Sequence, residues 1–426
     1  MRRLHVIHYP IYGGPHNEAL RLSAPLADLG WDTTVVLPDE PGNARERLES
    51  AGVEVVSMPL GRLRAVRSPK AHLQFGLGLA PQVLAIRRLI RERQIDVVQI
   101  GGLVNPHAAI AARLEHVPLV WQIVDSRTPK TLVKAFMPMV RGLADAVMFD
   151  GESLIDIHCG QKPLKQPAIV YYPPVDTTRF QPSSDQRRRT RSEYGIPEKV
   201  PVVGMVANWN PQKGIENFVR AAGFIYRQQP DTWFLMVGAT YATHTAYTSQ
   251  IEAEMASSGI PRERFVTVGE RSDVEAFYPA MDVKLITSVP LSEGTTTTAM
   301  EAASCGVPVV ATDVGAVREV IAEERSGLVV PPLEPAALAQ ATLSLLTDSH
   351  MRAAMGGDAR RLAVERYDVN VCAATHIDAF EQAVAHHRGR PGSTKRSPGQ
   401  SESTSGEFGV EPVQSALGSE ARASRR

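Results

Sequence analysis

The sequence predicts an α/β protein of two domains, each a parallel sheet flanked by helices, facing each other across a cleft. Three observations lead there. The chain has 426 residues, enough for two domains that each bury a core. Short apolar runs alternate with helix-length stretches, which is the pattern of βαβ units. That alternation occurs twice, and the passage between, "YYPPVDTTRFQPSSDQRRRTRSEYGIPEKVP", is rich in proline and charge, as an interdomain crossing is.

The first series begins with "LHVIHYP", an apolar run read as a strand, then the glycine turn "IYGGPHN" and the helix "EALRLSAPLADLG". "WDTTVVLP", "VEVVSMPL", "DVVQIGG", "PLVWQIV" and "AVMFD" follow as strands, separated by helices such as "APQVLAIRRLIRERQ" and "PHAAIAARLEH". These place a first domain at 1–175. The second series, 176–368, has "VVGMVAN", "TWFLMVG", "RFVTVG", "VKLITS", "PVVAT" and "GLVVP" as its strands. A terminal helix, 369–386, is free to pack back on the N-terminal domain. The last stretch, 387–426, is poor in large apolar side chains and reads as a disordered tail.

Composition narrows the function. Lys and Arg number 46, Asp and Glu also 46, and the formal charge is zero. A nucleic-acid binder needs a basic footprint that this balance lacks. Three scattered cysteines show no metal spacing, and fit a reducing cytoplasm. The N-terminus reads as a first strand rather than a signal peptide. No apolar run is long enough to span a bilayer. The basic stretch Pro59 to Gly76 could cover the acceptor side and meet a lipid-linked or polyanionic glycan and, equally, be a solvated loop; peripheral contact at the inner face of the cell membrane stays open for the chain.

Open parallel sheets bind ligands beyond the carboxyl ends of their strands. Three loops there carry candidate chemistry. "SEGTTTTAMEA", Ser292 to Ala302, puts two carboxylates around four threonines. A helix starting near Thr296 or Thr297 would point free N–H groups at a phosphate. Gly294 would let the loop approach it closely. Glu301, one turn inside, could accept from two ribose hydroxyls, and Glu293 from a polyol. The blander alternative is a pair of acids favoured by the helix dipole. "NPQKG", Asn210 to Gly214, presents Lys213 as a point charge for a diphosphate. Gly13 and Gly14 permit a close backbone approach from the opposite domain. They do not make a dinucleotide fingerprint, because the third glycine and its acidic partner are missing.

The Glu293…Glu301 segment, with "GVPVVATDVGAVREVI" behind it, resembles the retaining glycosyltransferases of family 4. "YPPVDTTRF", "NPQKG", "DVEAFYPAMDVKLITS" and "GLVVPPLEPAAL" extend the resemblance over nearly the whole ordered chain. It implies a GT-B fold, two Rossmann-like domains across a cleft. It also implies transfer of a sugar from a nucleotide diphosphate sugar, UDP- or GDP-linked, with retention and without a metal or other cofactor. The acceptor hydroxyl would belong to a glycan, a lipid-linked sugar or a natural product. Glu301 would hold the donor ribose, Glu293 the donor sugar and Lys213 the diphosphate. Thr295, Thr296, Thr297 and Thr298 would bind phosphate and sugar, Gly13 and Gly14 would face them, and Arg271 would lie near the nucleotide.

Two positions depart from the family pattern. Asn208 stands where many members carry the second diphosphate cation, an arginine. Val124 stands where many carry a histidine, leaving Asp125, Ser126 and Arg127 to compensate, with Asp125 as a catalytic candidate. These departures keep two alternatives open: another GT-B enzyme such as a phosphorylase or epimerase, and a catalytically altered or inactive binding partner.

Overall fold

A computed structural model describes residues 1–61, 69–124, 126, 128–322 and 325–390. Its first sheet has seven strands: β1 (Arg2–Val6), β2 (Asp32–Pro38), β3 (Glu54–Met58), β4 (Val97–Gly101), β5 (Leu119–Ile123), β6 (Ala146–Asp150) and β7 (Ala168–Tyr171). They pair in the order β3-β2-β1-β4-β5-β6-β7, every pairing parallel. The second sheet has six: β8 (Val202–Val206), β9 (Trp233–Val237), β10 (Phe265–Val268), β11 (Val283–Ile286), β12 (Val309–Thr312) and β13 (Gly327–Val330). Their order is β10-β9-β8-β11-β12-β13, again parallel throughout. Both sheets thus reverse strand order at their first strand, between β1 and β4 and between β8 and β11. Such a reversal opens a crevice at the carboxyl ends.

The strands form where the sequence is continuously apolar. β4, β5, β6, β11 and β12 are buried along their whole length, as expected of parallel strands covered on both faces. Every strand read from the sequence is present. The structure adds β7, a four-residue edge strand, and helices at Ala44–Ser50, Lys130–Leu143 and Ser153–Cys159. The helix read at "APQVLAIRRLIRERQ" spans Pro69–Glu92.

The closing helix runs Val369–Gly389 and packs on the first-lobe helix Gly14–Asp28 and on β5, β6 and β7. Phe380 meets Trp31 there, with ring centroids 4.8 Å apart. The helix continues beyond residue 386, which corrects the start of the tail. Its turns are held by a buried contact, His387 Nδ1 to Asp145 at 2.9 Å. The remaining tail, 391–426, lies outside the described residues.

The chain therefore crosses between lobes twice, and the two crossings are bonded together. Val175 N–H donates to the Tyr367 carbonyl at 2.7 Å, and Val369 N–H donates to the Val175 carbonyl at 3.0 Å. Thr177 Oγ1 donates to Asp368 at 2.5 Å.

Candidate active site

The second lobe's reversal point gathers the predicted residues. After β8 the chain makes a short 3-10 turn, Pro211–Lys213, capped by Asn210, whose side chain accepts from Gln212 N–H. Gly214 then takes a left-handed conformation, φ 58°, and starts the helix Ile215–Gln228. A Cβ at Gly214 would lie 2.2 Å from the Thr287 carbonyl oxygen. Only glycine satisfies both constraints. Gly214→Ala is expected to destabilise the protein by about 1–3 kcal/mol and to displace Lys213, read from the denaturation midpoint and from donor binding.

Held this way, Lys213 Nζ donates to Glu293 Oε1 at 2.6 Å. Ser288 Oγ, two residues past the end of β11, donates to the same oxygen at 2.5 Å. Glu293 is 7% exposed. Its second oxygen accepts nothing from the described residues. Among the described residues that oxygen has room for a hydroxyl donor.

The helix of the threonine run spans Thr297–Ser304 with Thr296 at its N-cap, as the sequence reading expects. Its first turn leaves backbone N–H groups without intrahelical partners. The N–H groups of Thr295 and Thr296 have no acceptor among the described residues either. The hydroxyls diverge. Thr295 donates across the cleft to Asp150 at the end of β6. Burial raises the Asp150 carboxyl well above its usual range, and Glu18 and Glu319 push it further while Thr295 opposes them. Thr298 accepts from Lys284 Nζ at 3.1 Å. The Thr296 hydroxyl is buried and has no partner among the described residues. Gly294 comes close to the other lobe, where a Cβ would sit 3.0 Å from the Val124 carbonyl.

Glu301 is 4% exposed and already engaged. Tyr278 OH donates to one oxygen at 2.6 Å, and Arg21, from the first-lobe helix Gly14–Asp28, donates to the other at 2.5 Å. Two partners leave about half of a carboxylate's lone-pair positions open. Arg21 also donates to the Pro174 carbonyl at 2.8 Å, so it ties Glu301 to the interlobe crossing.

The first lobe supplies its own loops. Gly13 is the N-cap of Gly14–Asp28, and its carbonyl accepts from the N–H of His16 and of Asn17. A Cβ on Gly13 or Gly14 would meet no protein atom within 4 Å. Protein packing therefore does not demand either glycine. Neighbouring Tyr12 lies within electrostatic reach of Arg21 and Glu301. Ser126, after β5, donates to the Glu293 carbonyl at 2.8 Å. Asp125 and Arg127 lie outside the described residues.

Two expected residues stand apart from this cluster. Asn208 donates to Tyr241 OH at 2.8 Å and accepts from Ala239 N–H at 3.1 Å, so it ties two loops together. Arg271 makes a bidentate pair with Asp273 at 2.7 and 2.8 Å and lies over Phe277. Arg21, Tyr278, Asp150 and Lys284 join the site without having been expected from the sequence. Arg21, Tyr278 and Asp150 carry no local signal, since each joins the site through the fold. Lys284 did carry one: a charge inside the apolar strand "VKLI" is rarely fully buried without a reason.

Four contacts hold the lobes together around this point: Arg21 with Glu301, Ser126 with Glu293, Thr295 with Asp150, and Glu319 with the N–H groups of Glu152 and Ser153 at 2.6 and 2.8 Å. The pocket between Lys213, Lys284, Glu293, Thr296 and Thr298 measures about 10 Å³, close to the room of one water. All of its lining residues belong to the second lobe.

Residues 186–362 match the family model described as glycosyl transferases group 1, and residues 13–150 match the glycosyl transferase 4-like domain. The chain is 31% identical over 230 residues to a D-inositol 3-phosphate glycosyltransferase of Salinispora tropica, covering 52% of this chain and 47% of that protein. It is 32% identical over 211 residues to a GDP-mannose-dependent alpha-(1-6)-phosphatidylinositol monomannoside mannosyltransferase of Mycolicibacterium smegmatis, covering 47% and 53%. The chain thus spans about half the length of the curated relatives it matches. In fold it is similar to Anabaena Alr3699/HepE, solved in complex with UDP, with a TM-score of 0.77 at 20% identity, covering 89% of this chain and 100% of that one. The same protein solved with UDP-glucose gives 0.72 at 21%, covering 90% and 98%. The fold is GT-B.

Proposed function

We propose that this chain, which belongs to the GT4-type glycosyltransferases, transfers a sugar from a nucleotide diphosphate sugar to an acceptor hydroxyl, with retention and without a metal. One observation carries the reading. Lys213, Glu293, Glu301 and the N-terminus of Thr297–Ser304 converge where β8 and β11 end, each with capacity left for a ligand. A phosphate suits the helix N-terminus and the lysine, and hydroxyls suit the two carboxylates. The UDP-glucose bound by the Anabaena protein is in keeping with this.

In this scheme the first-turn N–H groups of the threonine helix and Lys213 offset charge on the leaving diphosphate. Glu301 accepts from the ribose hydroxyls with the lone pairs that Arg21 and Tyr278 leave. Glu293 accepts from the donor sugar through its unpartnered oxygen. The acceptor oxygen bonds to the anomeric carbon from the face that the diphosphate leaves. The carbon–oxygen bond to the diphosphate breaks, and a phosphate oxygen takes the acceptor's proton. The lobe contacts close over the reacting sugar and exclude water. The Gly13–Gly14 loop, with room on its open side, lies against the phosphates or the acceptor. The acceptor is a glycan, a lipid-linked sugar or a natural product. Among the described residues, no helix is long and apolar enough to cross a membrane.

The test is mass spectrometry of UDP- and GDP-sugars incubated with the chain and a panel of hydroxyl acceptors. Acceptor-dependent consumption of one donor is expected, and Glu293→Gln and Glu301→Gln should each lower it at least tenfold. Consumption untouched by both changes would sink the assignment.

A further inference from the structure

Lys284 lies on β11 opposite Gly204 of β8. Alternation along the strand sends Val283 and Leu285 to one face and Lys284 and Ile286 to the other. Ile286 packs in the same cluster as Ala299 and Met300 of the threonine helix. The lysine therefore rises under that helix, 1% exposed, and reaches the hydroxyl of Thr298.

This is a poor place for a structural lysine. Buried ammonium groups are ordinarily paired with carboxylates. No carboxylate forms a salt bridge with Lys284 among the described residues. Its one hydrogen-bond partner among the described residues is a neutral hydroxyl, which uses one of three donors. It also sits beside the positive end of a helix dipole and shares a pocket with a second lysine, Lys213. Both neighbours repel it. Burial and Lys213 push its pKa down to about 7, while Glu301 and Glu293 pull the other way. The same pocket holds the buried, unpartnered hydroxyl of Thr296. Two lysines, free N–H groups and an unused hydroxyl surround this space, and the carboxylate that lines it, Glu293, is bonded to Lys213 rather than to Lys284.

We propose that Lys284 is the second cation for the donor's diphosphate, supplying the charge that Asn208 cannot. The assignment rests on the donor reading above and extends it to a residue inside a strand. Asn208 is neutral, and each of its amide groups is engaged, with Tyr241 OH and with Ala239 N–H. Lys284 approaches the same phosphates from beneath the helix. When a donor enters, the Nζ keeps Thr298 in place and turns its remaining hydrogens to the phosphate oxygens. At pH 8 most of the free lysine is neutral, so binding draws in a proton.

The experiment is calorimetry of UDP-glucose and GDP-mannose binding to the full chain at pH 8, in two buffers of different ionisation enthalpy. These diphosphate diesters carry no proton of their own that titrates near neutrality. The bound donor is expected to bring more than half a proton with it, and affinity to fall about tenfold per pH unit from 7.5 to 9. Lys284→Met should bind at least tenfold more weakly, with no proton uptake and a flat pH profile. Lys284→Arg should recover affinity while remaining flat. Wild-type binding without proton uptake overturns the proposal, and needs no variant to be seen. So does a Lys284→Met protein with the wild-type pH profile. If neither nucleotide sugar binds the wild-type chain, the donor reading itself fails, and this inference with it.

Discussion

Lys213→Ala is expected to lower kcat by about 10²–10³-fold, equivalent to roughly 3–4 kcal/mol of transition-state stabilisation. The loss should fall more on kcat than on the donor KM. Charge on the departing diphosphate grows as the glycosidic bond breaks, so a fixed ammonium gains most at that moment. The local structure supports a clean reading. Lys213 is positioned by the Asn210 cap and the left-handed Gly214, neither of which depends on its side chain. Its partner Glu293 keeps the Ser288 hydroxyl as a donor. The pair is part-exposed on the lysine side, 31%, so stability should change by only about 1 kcal/mol. Steady-state kinetics with a thermal melt check both halves. A Lys213→Ala enzyme with unchanged kcat would remove the lysine from the chemistry.

Lys284→Met should do something unusual for a change inside the site: make the protein more stable while weakening donor binding. The folded pKa of Lys284 is pushed down to about 7 from 10.5. Between those values the unfolded chain holds the proton that the folded chain has lost, so wild-type stability rises with pH through that window. The penalty is absent above pH 10.5, grows as pH falls, and is complete below about 7. At neutral pH it is on the order of 3–5 kcal/mol. Methionine fills a similar volume without the charge. Denaturant midpoints from pH 6 to 10 should therefore rise for the wild type. For Lys284→Met they should stay flat in this respect and start higher. A less stable variant at pH 7 would contradict the burial cost. The site keeps a destabilising group, which is the usual mark of a functional constraint.

Much of this was legible beforehand because the fold is written in local signals. Every strand read from the sequence formed, since each is an apolar run bounded by turn residues. The threonine helix began at the threonine run as read, with Thr296 at its N-cap, although the Thr296 hydroxyl makes no capping hydrogen bond. β7 was missed because four residues at a sheet edge give too short a period. The helix end at Gly389 was missed because its last turn owes its order to Asp145, more than 240 residues away in sequence. The same limit governs the site. Glu293, Glu301 and Lys213 stood out because they sit in short motifs after strands. Arg21 and Asp150 did not, since each becomes relevant only once the lobes meet. Asn208 reads as a substituted arginine in the sequence, but in the structure it is a loop tie. The charge it lacks lies on a different strand.

The paired crossings at Val175 and Tyr367–Val369 decide how this molecule opens. A single linker would let the lobes swivel freely. Two neighbouring segments joined by three hydrogen bonds act as a flat ribbon, which flexes about one axis and resists torsion. Such a joint would let Arg21 meet Glu301 and Thr295 meet Asp150 in one register whenever the lobes close. A protease that cuts one segment should leave the halves joined and native in size on a sizing column, separating only on denaturing gels.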